Sequence, residues 1–331
     1  MKIEFESTTF DAAPEETVLD CLERNGMKVA SFCRSGACQT CLLKVVEGKV
    51  PASAQAGLKE SWKKQGYFLS CVCKPAEPLR IARCDVGGTF KSRVRSVERL
   101  SSHVMRVLLE RPSEMEYEAG QFLQLVRPQD ELMRPYSVAS LPDDETIELH
   151  VALLAEGFMS RWLLEATGAE VHLRGPFGEC FYLPHEPERP LLLAGTGTGL
   201  APLIGVVRQA IRSGHRGPIQ LLHGAVARSG LYLWNELVEL AASNSSLSVV
   251  GSLLEDPGEG AKSSELSNVR IEAVPLEQLV LNTSLSLAQC RVYLCGNADL
   301  VRLLKKKVFL AGTPLQHIHS DPFVAPANKS Q

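Results

Sequence analysis

The chain has 331 residues, 45% of them hydrophobic and 22% charged, with a net charge of −3. That length suits two or three domains with separate cores, and the apolar content excludes intrinsic disorder. Near-neutral charge gives no electrostatic footing for nucleic acid or an anionic membrane. The opening Met1-Lys2-Ile3-Glu4-Phe5-Glu6 lacks the apolar run of a secretory signal, so a cytoplasmic protein is expected.

Cysteine dominates the first quarter. Cys33, Cys38, Cys41, Cys71 and Cys73 cluster there, with Cys21 and Cys84 outlying. Disulfides are not expected in a chain without an export signal. Cys33-Arg-Ser-Gly-Ala-Cys38-Gln-Thr-Cys41 has C-x4-C-x2-C spacing, and Cys71 follows after a long gap. This is the plant-type arrangement in which four thiolates hold two irons. Gly36 and Ala37 are small, so backbone N–H groups can approach bridging sulfides and stabilise their negative charge. The competing reading is zinc, but structural zinc shows C-x2–4-C knuckles in pairs, and only Cys38 and Cys41 make one. Cys73 would share a face with Cys71 on a strand; it reads as a small core residue, with a ligand role as the alternative.

Ahead of that loop, Glu15 and Glu16 open an apolar stripe of Val18, Leu19 and Leu22 that closes at Asn25-Gly26. The pattern predicts a short helix with acids near its positive end and a glycine stop, then a strand over 42–46 ending at Gly48. Through CRSGACQTC at 33–41 and the segment from Gly66 to Pro75, residues 1–86 resemble a plant-type [2Fe–2S] ferredoxin domain. The resemblance implies a β-grasp fold with Cys33, Cys38, Cys41 and Cys71 as cluster ligands.

After Gly87-Gly88, read as an interdomain hinge, strand-like runs recur at 89–97, 104–109, 121–126, 136–139, 147–153 and 170–173, which suggests a small antiparallel barrel. Within Arg134-Pro135-Tyr136-Ser137-Val138-Ala139-Ser140, strand alternation sends Arg134 and Tyr136 to one face and Ser137 to the other. An arginine suits a phosphate and a tyrosine offers a flat ring to an aromatic ligand. Together with Gly157-Phe158-Met159-Ser160 and Gly175-Pro176-Phe177-Gly178, this segment resembles the flavin domain of the ferredoxin–NADP reductase superfamily, whose RxYSxxS motif is typical of FAD members. The resemblance implies that Arg134 binds the flavin phosphates, Tyr136 packs on the isoalloxazine, Ser137 hydrogen-bonds near the reactive N5, and Gly157 and Ser160 meet the pyrophosphate. Ala152 departs from the pattern, since relatives often carry a base there.

The uncharged window 190–207 could pass for a membrane span, but its glycines, threonines and Pro202 read better as strand, turn and helix. The run 191–194 suits a buried parallel strand, and Leu203, Ile204, Val207, Ala210 and Ile211 follow at helical spacing. Between them Gly195-Thr196-Gly197-Thr198-Gly199 feeds a helix N-terminus, a ready anion site. The dehydrogenase fingerprint G-x-G-x-x-G and its ribose-binding acid are absent. GTGTGLAP at 195–202 and Val292-Tyr293-Leu294-Cys295-Gly296-Asn297 instead resemble the nucleotide domain of the same superfamily. Gly195, Thr196, Gly197 and Gly296 are thereby implied in nucleotide binding. Cys295 would line the hydride-transfer site and Phe323 would shield the flavin face. Arg228 could meet a 2′-phosphate, but an arginine in that loop also occurs in NADH-using relatives, so NADH is favoured over NADPH. His317 and His319 alternate as in an exposed strand, and the Lys305–Lys307 run reads as a solvated helix face.

The expected architecture is a multidomain α+β and α/β chain. Residues 1–86 form the ferredoxin, 87–186 an antiparallel β-barrel for FAD, and 187–331 a parallel-sheet NAD(P) domain. That order resembles the single-chain reductase components of multicomponent bacterial oxygenases. It implies transfer from NADH through FAD to a [2Fe–2S] cluster, then to a terminal oxygenase component or its ferredoxin or Rieske centre. The alternatives are a non-oxygenase client, such as a deoxysugar dehydration system, and a flavin/iron–sulfur redox sensor. Neither a nucleic acid partner nor a membrane span is expected.

Overall fold

A computed structural model describes residues 1–29, 31, 34, 36, 41–83, 88–255 and 267–323. Cys33, Cys38, Ala37, Cys84 and Gly87 lie outside the described residues. The chain divides into two compact units, Met1–Val86 and Gly87–Gln331.

In the first unit β1 (Lys2–Phe5), β2 (Thr8–Asp11), α1 (Val18–Arg24), β3 (Leu42–Glu47), α2 (Glu60–Lys64), β4 (Tyr67–Leu69) and β5 (Leu79–Ala82) build a sheet of order β2-β1-β5-β3-β4. β1 runs parallel to β5 and the other pairs are antiparallel. Helix α1 buries Val18, Leu19, Cys21 and Leu22. Its start differs from the expectation. Thr17 is the N-cap and accepts from the Asp20 N–H, while Glu16 is drawn off to pair with Arg24 at 2.8 Å.

The second unit begins with β6 (Gly88–Arg99), β7 (Val104–Glu110), β8 (Phe122–Arg127), β9 (Leu132–Ser137), β10 (Thr146–Ala152), α3 (Phe158–Leu163) and β11 (Glu170–Phe177). All strand pairs are antiparallel, in the order β10-β7-β6-β11-β8-β9. A bridge between Val138 and Leu149 and the bond from Ala139 N–H to Glu148 O at 2.9 Å join the two outer strands and close a barrel. The RxYS strand begins four residues earlier than the predicted 136, because Met133 to Ser137 continue the pairing with β8. Val94, Met105, Val107, Leu123, Leu125, Leu149 and Leu173 fill the interior.

The second layer follows as β12 (Leu191–Thr196), α4 (Leu200–Arg212), β13 (Ile219–Ala225), α5 (Trp234–Ala242), β14 (Leu247–Leu253), β15 (Val269–Glu272), α6 (Leu276–Leu281), β16 (Arg291–Asn297), α7 (Ala298–Leu310) and β17 (Ile318–Phe323). The strands form a parallel sheet of order β15-β14-β13-β12-β16-β17. Strand order reverses at β12, and ligands of such sheets bind at the carboxyl ends of the strands at that point. The window that imitated a span is β12, a 3₁₀ turn over Gly197–Gly199, and α4. Among the described residues no helix is long and apolar enough to cross a membrane. Val104 and Ala139 of the barrel share one core with Leu191, Leu203, Val207 and Tyr232, so barrel and parallel sheet pack as one body.

One expectation fails in β17. His319 is fully buried rather than exposed, because β17 pairs with β16 and the imidazole stacks on Tyr293 at 5.1 Å between ring centroids.

Candidate functional site

A cavity of about 690 Å³ opens in the second unit, within the size range of cofactor pockets. Arg134, Tyr136 and Ser137 of β9, Gly157 and Ser160 at the start of α3, Thr198 of the glycine turn, and Asp321 and Phe323 of β17 all line it. Ser137 was expected to face away from Arg134 and Tyr136, yet all three reach the cavity. The strand ends at Ser137, so strict alternation no longer holds there.

Local geometry explains several letters of the motifs. A β-carbon at Gly157 would lie 2.3 Å from Ser160 Oγ, so glycine lets the serine hydroxyl fold back and donate to Gly157 O at 3.1 Å. Burial pushes the Tyr136 phenol well above its usual range, so a neutral ring faces the cavity. At Gly199 a β-carbon would sit 2.5 Å from the Cys295 carbonyl oxygen; this close approach joins the carboxyl ends of β12 and β16. Gly197 takes φ +53 with open space around it. Helix α4 follows with Gly199 as N-cap and no side-chain cap bond, and the Leu200 N–H is taken up by Gly197 O of the preceding turn.

Gly195, Thr196, Gly197, Cys295 and Gly296 are not cavity-lining residues. They sit at the adjoining strand ends, where Gly195 lies in register with Cys295 and Cys295 with Asp321. The Cys295 thiol is buried 3.8 Å from Cys180 Sγ, and burial pushes its pKa up, so it packs as a neutral group.

Asp321 is a site residue that the sequence reading did not single out. Its Oδ2 accepts from Ser137 Oγ at 3.2 Å, across 184 positions of chain. Burial raises this carboxyl to about 6; the Ser137 hydrogen bond opposes the rise and the nearby Glu179 charge adds to it. An acid of this kind exchanges its proton close to neutral pH. The only sequence signal was its place two residues before Phe323.

In the first unit, Cys41 and Cys71 are both buried in one cluster with Leu19, Leu58 and Leu69. Ser70 holds the two segments together, its N–H and hydroxyl both donating to Cys41 O, at 3.1 and 2.8 Å. Gly36 has φ +80, the left-handed conformation that glycine favours. Cys73 does not share a face with Cys71. A 3₁₀ turn over Ser70–Val72 replaces the expected strand and turns Cys73 into the opposite core with Ile3, Phe5 and Phe68. The side chains of Cys33 and Cys38 lie outside the described residues.

A flavin-type barrel fused to a parallel nucleotide-binding sheet, in one chain with a β-grasp unit that buries Cys41 and Cys71 in one cluster, defines an iron–sulfur flavoprotein of pyridine-nucleotide oxidation. Family descriptions agree along the chain: a 2Fe-2S iron-sulfur cluster binding domain matches residues 1–76, an oxidoreductase FAD-binding domain 91–182, and an oxidoreductase NAD-binding domain 193–306. The ferredoxin–NAD(P)+ reductase component of the naphthalene 1,2-dioxygenase system of Pseudomonas putida is 31% identical over 316 residues, covering 92% of this chain and 93% of the relative. The reductase subunit of an Amycolatopsis aromatic O-demethylase is 30% identical over 281 residues, covering 80% and 84%. A solved Amycolatopsis cytochrome P450 reductase superposes with a TM-score of 0.65 at 26% identity, covering 98% of this chain and 99% of the other. The chain belongs to the family of NAD(P)H-dependent, FAD- and [2Fe–2S]-containing reductase components of multicomponent oxygenases.

Proposed function

We propose that this reductase takes electrons from NADH and delivers them to a terminal oxygenase, directly or through that enzyme's ferredoxin or Rieske centre. The observation that carries the reading is one cavity lined together by the RxYS strand, the GxxS turn, Thr198 of the GTGTG turn and the C-terminal strand. The proposed division of labour is residues 1–86 for the cluster, 87–186 for flavin and 187–331 for the nucleotide. When bound, FAD supplies the conversion between a two-electron hydride donor and a one-electron iron–sulfur acceptor.

The chain's own groups divide the remaining work. Arg134 would hold the flavin phosphates, with Gly157 and Ser160 at the pyrophosphate and Tyr136 against the ring system. Gly195, Thr196, Gly197 and Gly296 would form the nucleotide cradle. Ser137 and Asp321 hold an exchangeable proton at the cavity wall, on the Asp321 carboxyl below about pH 6. Phe323, half-buried on the cavity, would exclude water and yield to the nicotinamide, and Cys295, in register with Asp321, would stand near the hydride-transfer site. Cys33, Cys38, Cys41 and Cys71 would hold the two irons as thiolates.

The test is NADH-driven reduction of two artificial acceptors. Wild-type protein should reduce both cytochrome c and ferricyanide over many turnovers. Cys71→Ser should lose most cytochrome c activity and keep ferricyanide reduction at the flavin. Equal loss of both, or of neither, contradicts the proposed order of centres, and a wild type without turnover contradicts the function.

A further inference from the structure

We propose that His150 and Tyr232 form a latch between the flavin barrel and the nucleotide sheet, acting as positioning residues that set nucleotide affinity. The proposal rests on the flavin and nucleotide reading above but concerns groups outside every motif that supports it.

His150 projects from β10 with its side chain fully shielded from solvent, and it lines the flavin cavity. Both ring nitrogens are engaged: Nε2 lies 2.8 Å from Glu148 Oε1 and Nδ1 lies 3.1 Å from Tyr232 Oη. Burial works against a charged Glu148, but the His150 hydrogen bond and the Arg208 and Arg106 guanidiniums outweigh it and hold that carboxyl well below its usual range. An ionised Glu148 accepts only, so Nε2 carries the proton. Nδ1 is then left to accept from the Tyr232 hydroxyl. Burial keeps His150 neutral and Tyr232 protonated, consistent with that direction.

Tyr232 belongs to the other side of the junction, just ahead of α5. The next residue, Leu233, has φ +59, a left-handed conformation that a leucine adopts only under constraint. The strained turn aims the Tyr232 ring edge-on at His150, with centroids 5.4 Å apart, and at His223, 5.5 Å apart. His223 is fully buried on β13, and neither of its nitrogens makes a regular hydrogen bond among the described residues. Burial lowers its pKa to about 4, and the backbone of Gly197 is the polar group that opposes this. The Tyr232 ring thus bridges His150 on the wall of the flavin cavity and His223, whose imidazole meets the backbone of Gly197 in the GTGTG turn.

Charges from both sides surround the contact. Arg106 of β7 reaches Glu148 and, at 2.5 Å, Glu236 of α5; Arg208 of α4 reaches Glu148 at 2.8 Å and donates to Ala139 O at 3.1 Å. With the ion pairs to hold barrel and sheet together, the Tyr232 hydroxyl is left to fix their register at the turn. Removing it would leave Nδ1 of His150 buried without a donor.

The experiment measures NAD+ binding by titration calorimetry, together with flavin content and FAD affinity of the reconstituted protein. Tyr232→Phe keeps the packing and removes only the hydroxyl. His150→Gln keeps a donor for Glu148 and moves the acceptor off the Nδ1 position, to a carbonyl oxygen one atom further along the side chain. Each should weaken NAD+ binding about tenfold, Tyr232→Phe with unchanged flavin content and FAD affinity, and the double variant should bind NAD+ no more weakly than either single one. NAD+ affinity within twofold of wild type in Tyr232→Phe, or two single effects that multiply in the double variant, would overturn the latch. A wild type that bound no NAD+ would overturn the nucleotide reading as well.

Discussion

Replacing Ser137 by alanine probes the acid at the cavity wall. Asp321 carries its proton up to about pH 6 because burial disfavours its charge. Of the forces on it, the Ser137 hydroxyl favours the carboxylate and Glu179 disfavours it. The hydroxyl donates over 3.2 Å, and hydrogen bonds to charged groups are worth about 1.5–3 kcal/mol. At that distance the lower end applies, and about 1.4 kcal/mol corresponds to one pH unit. Since the donor stabilises the ionised form more than the neutral one, its loss moves the Asp321 midpoint upward, from about 6 toward about 7. Infrared difference spectra would follow the protonated carboxyl stretch against pH, with Asp321→Asn to identify the band. Stopped-flow flavin bleaching by NADH over the same range would show whether the inflection in rate moves with it. A midpoint that stays put or falls in Ser137→Ala would refute the reasoning.

Other outcomes follow from the same geometry. The folded-state pKa of Asp321 lies above that of an unfolded chain, so its contribution to stability is fully present below about pH 4 and is lost as pH rises through 6. Thermal denaturation should therefore find Asp321→Asn more stable than wild type at pH 8, by about 1–2 kcal/mol after allowance for partial solvent access, and nearly equal to it at pH 4. Gly199→Ala would drive a methyl into the Cys295 carbonyl, at 2.5 Å, and should cost about 1–3 kcal/mol together with at least tenfold in NAD+ affinity; full retention of both on calorimetry would count against the close approach. Cys71→Ser should lose the iron–sulfur absorbance, whereas Cys73→Ser should keep it and lose only stability from a hydroxyl in the Ile3 and Phe5 core. Phe323→Ala should alter nucleotide affinity or the NADH to NADPH preference with flavin retained, and unchanged nucleotide kinetics would dismiss Phe323 as a shield.

The parts of the site legible in the sequence are those whose chemistry is local. RxYSxxS and GTGTG keep their residues within one strand end or one turn, where spacing goes far to fix geometry. The same holds for the helix after Gly199, where apolar periodicity and Pro202 in the first turn announce α4. What escaped depends on contacts between distant segments. Asp321 matters because β17 brings it to Ser137, and no local pattern carries that partnership. His319 looked exposed because alternation cannot show that an edge strand packs on Tyr293. Cys73 reads as a small core residue and lies in the core with Ile3 and Phe5, but that it parts from Cys71 depends on a 3₁₀ turn over Ser70–Val72 that spacing does not show. Glu16 looked like a helix-capping acid until Arg24, eight residues on, claimed it.

The central claim is that one polypeptide carries both the group that accepts a hydride and the cluster that accepts single electrons. Anaerobic titration of the purified protein with NADH, and separately with NADPH, would follow flavin bleaching and the cluster spectrum together, alongside iron, sulfide and flavin analysis. The account predicts FAD and iron with inorganic sulfide in one chain, and both chromophores bleaching on nucleotide addition. Zinc in place of iron, absence of flavin, or a cluster that stays oxidised while the flavin is fully reduced would contradict it.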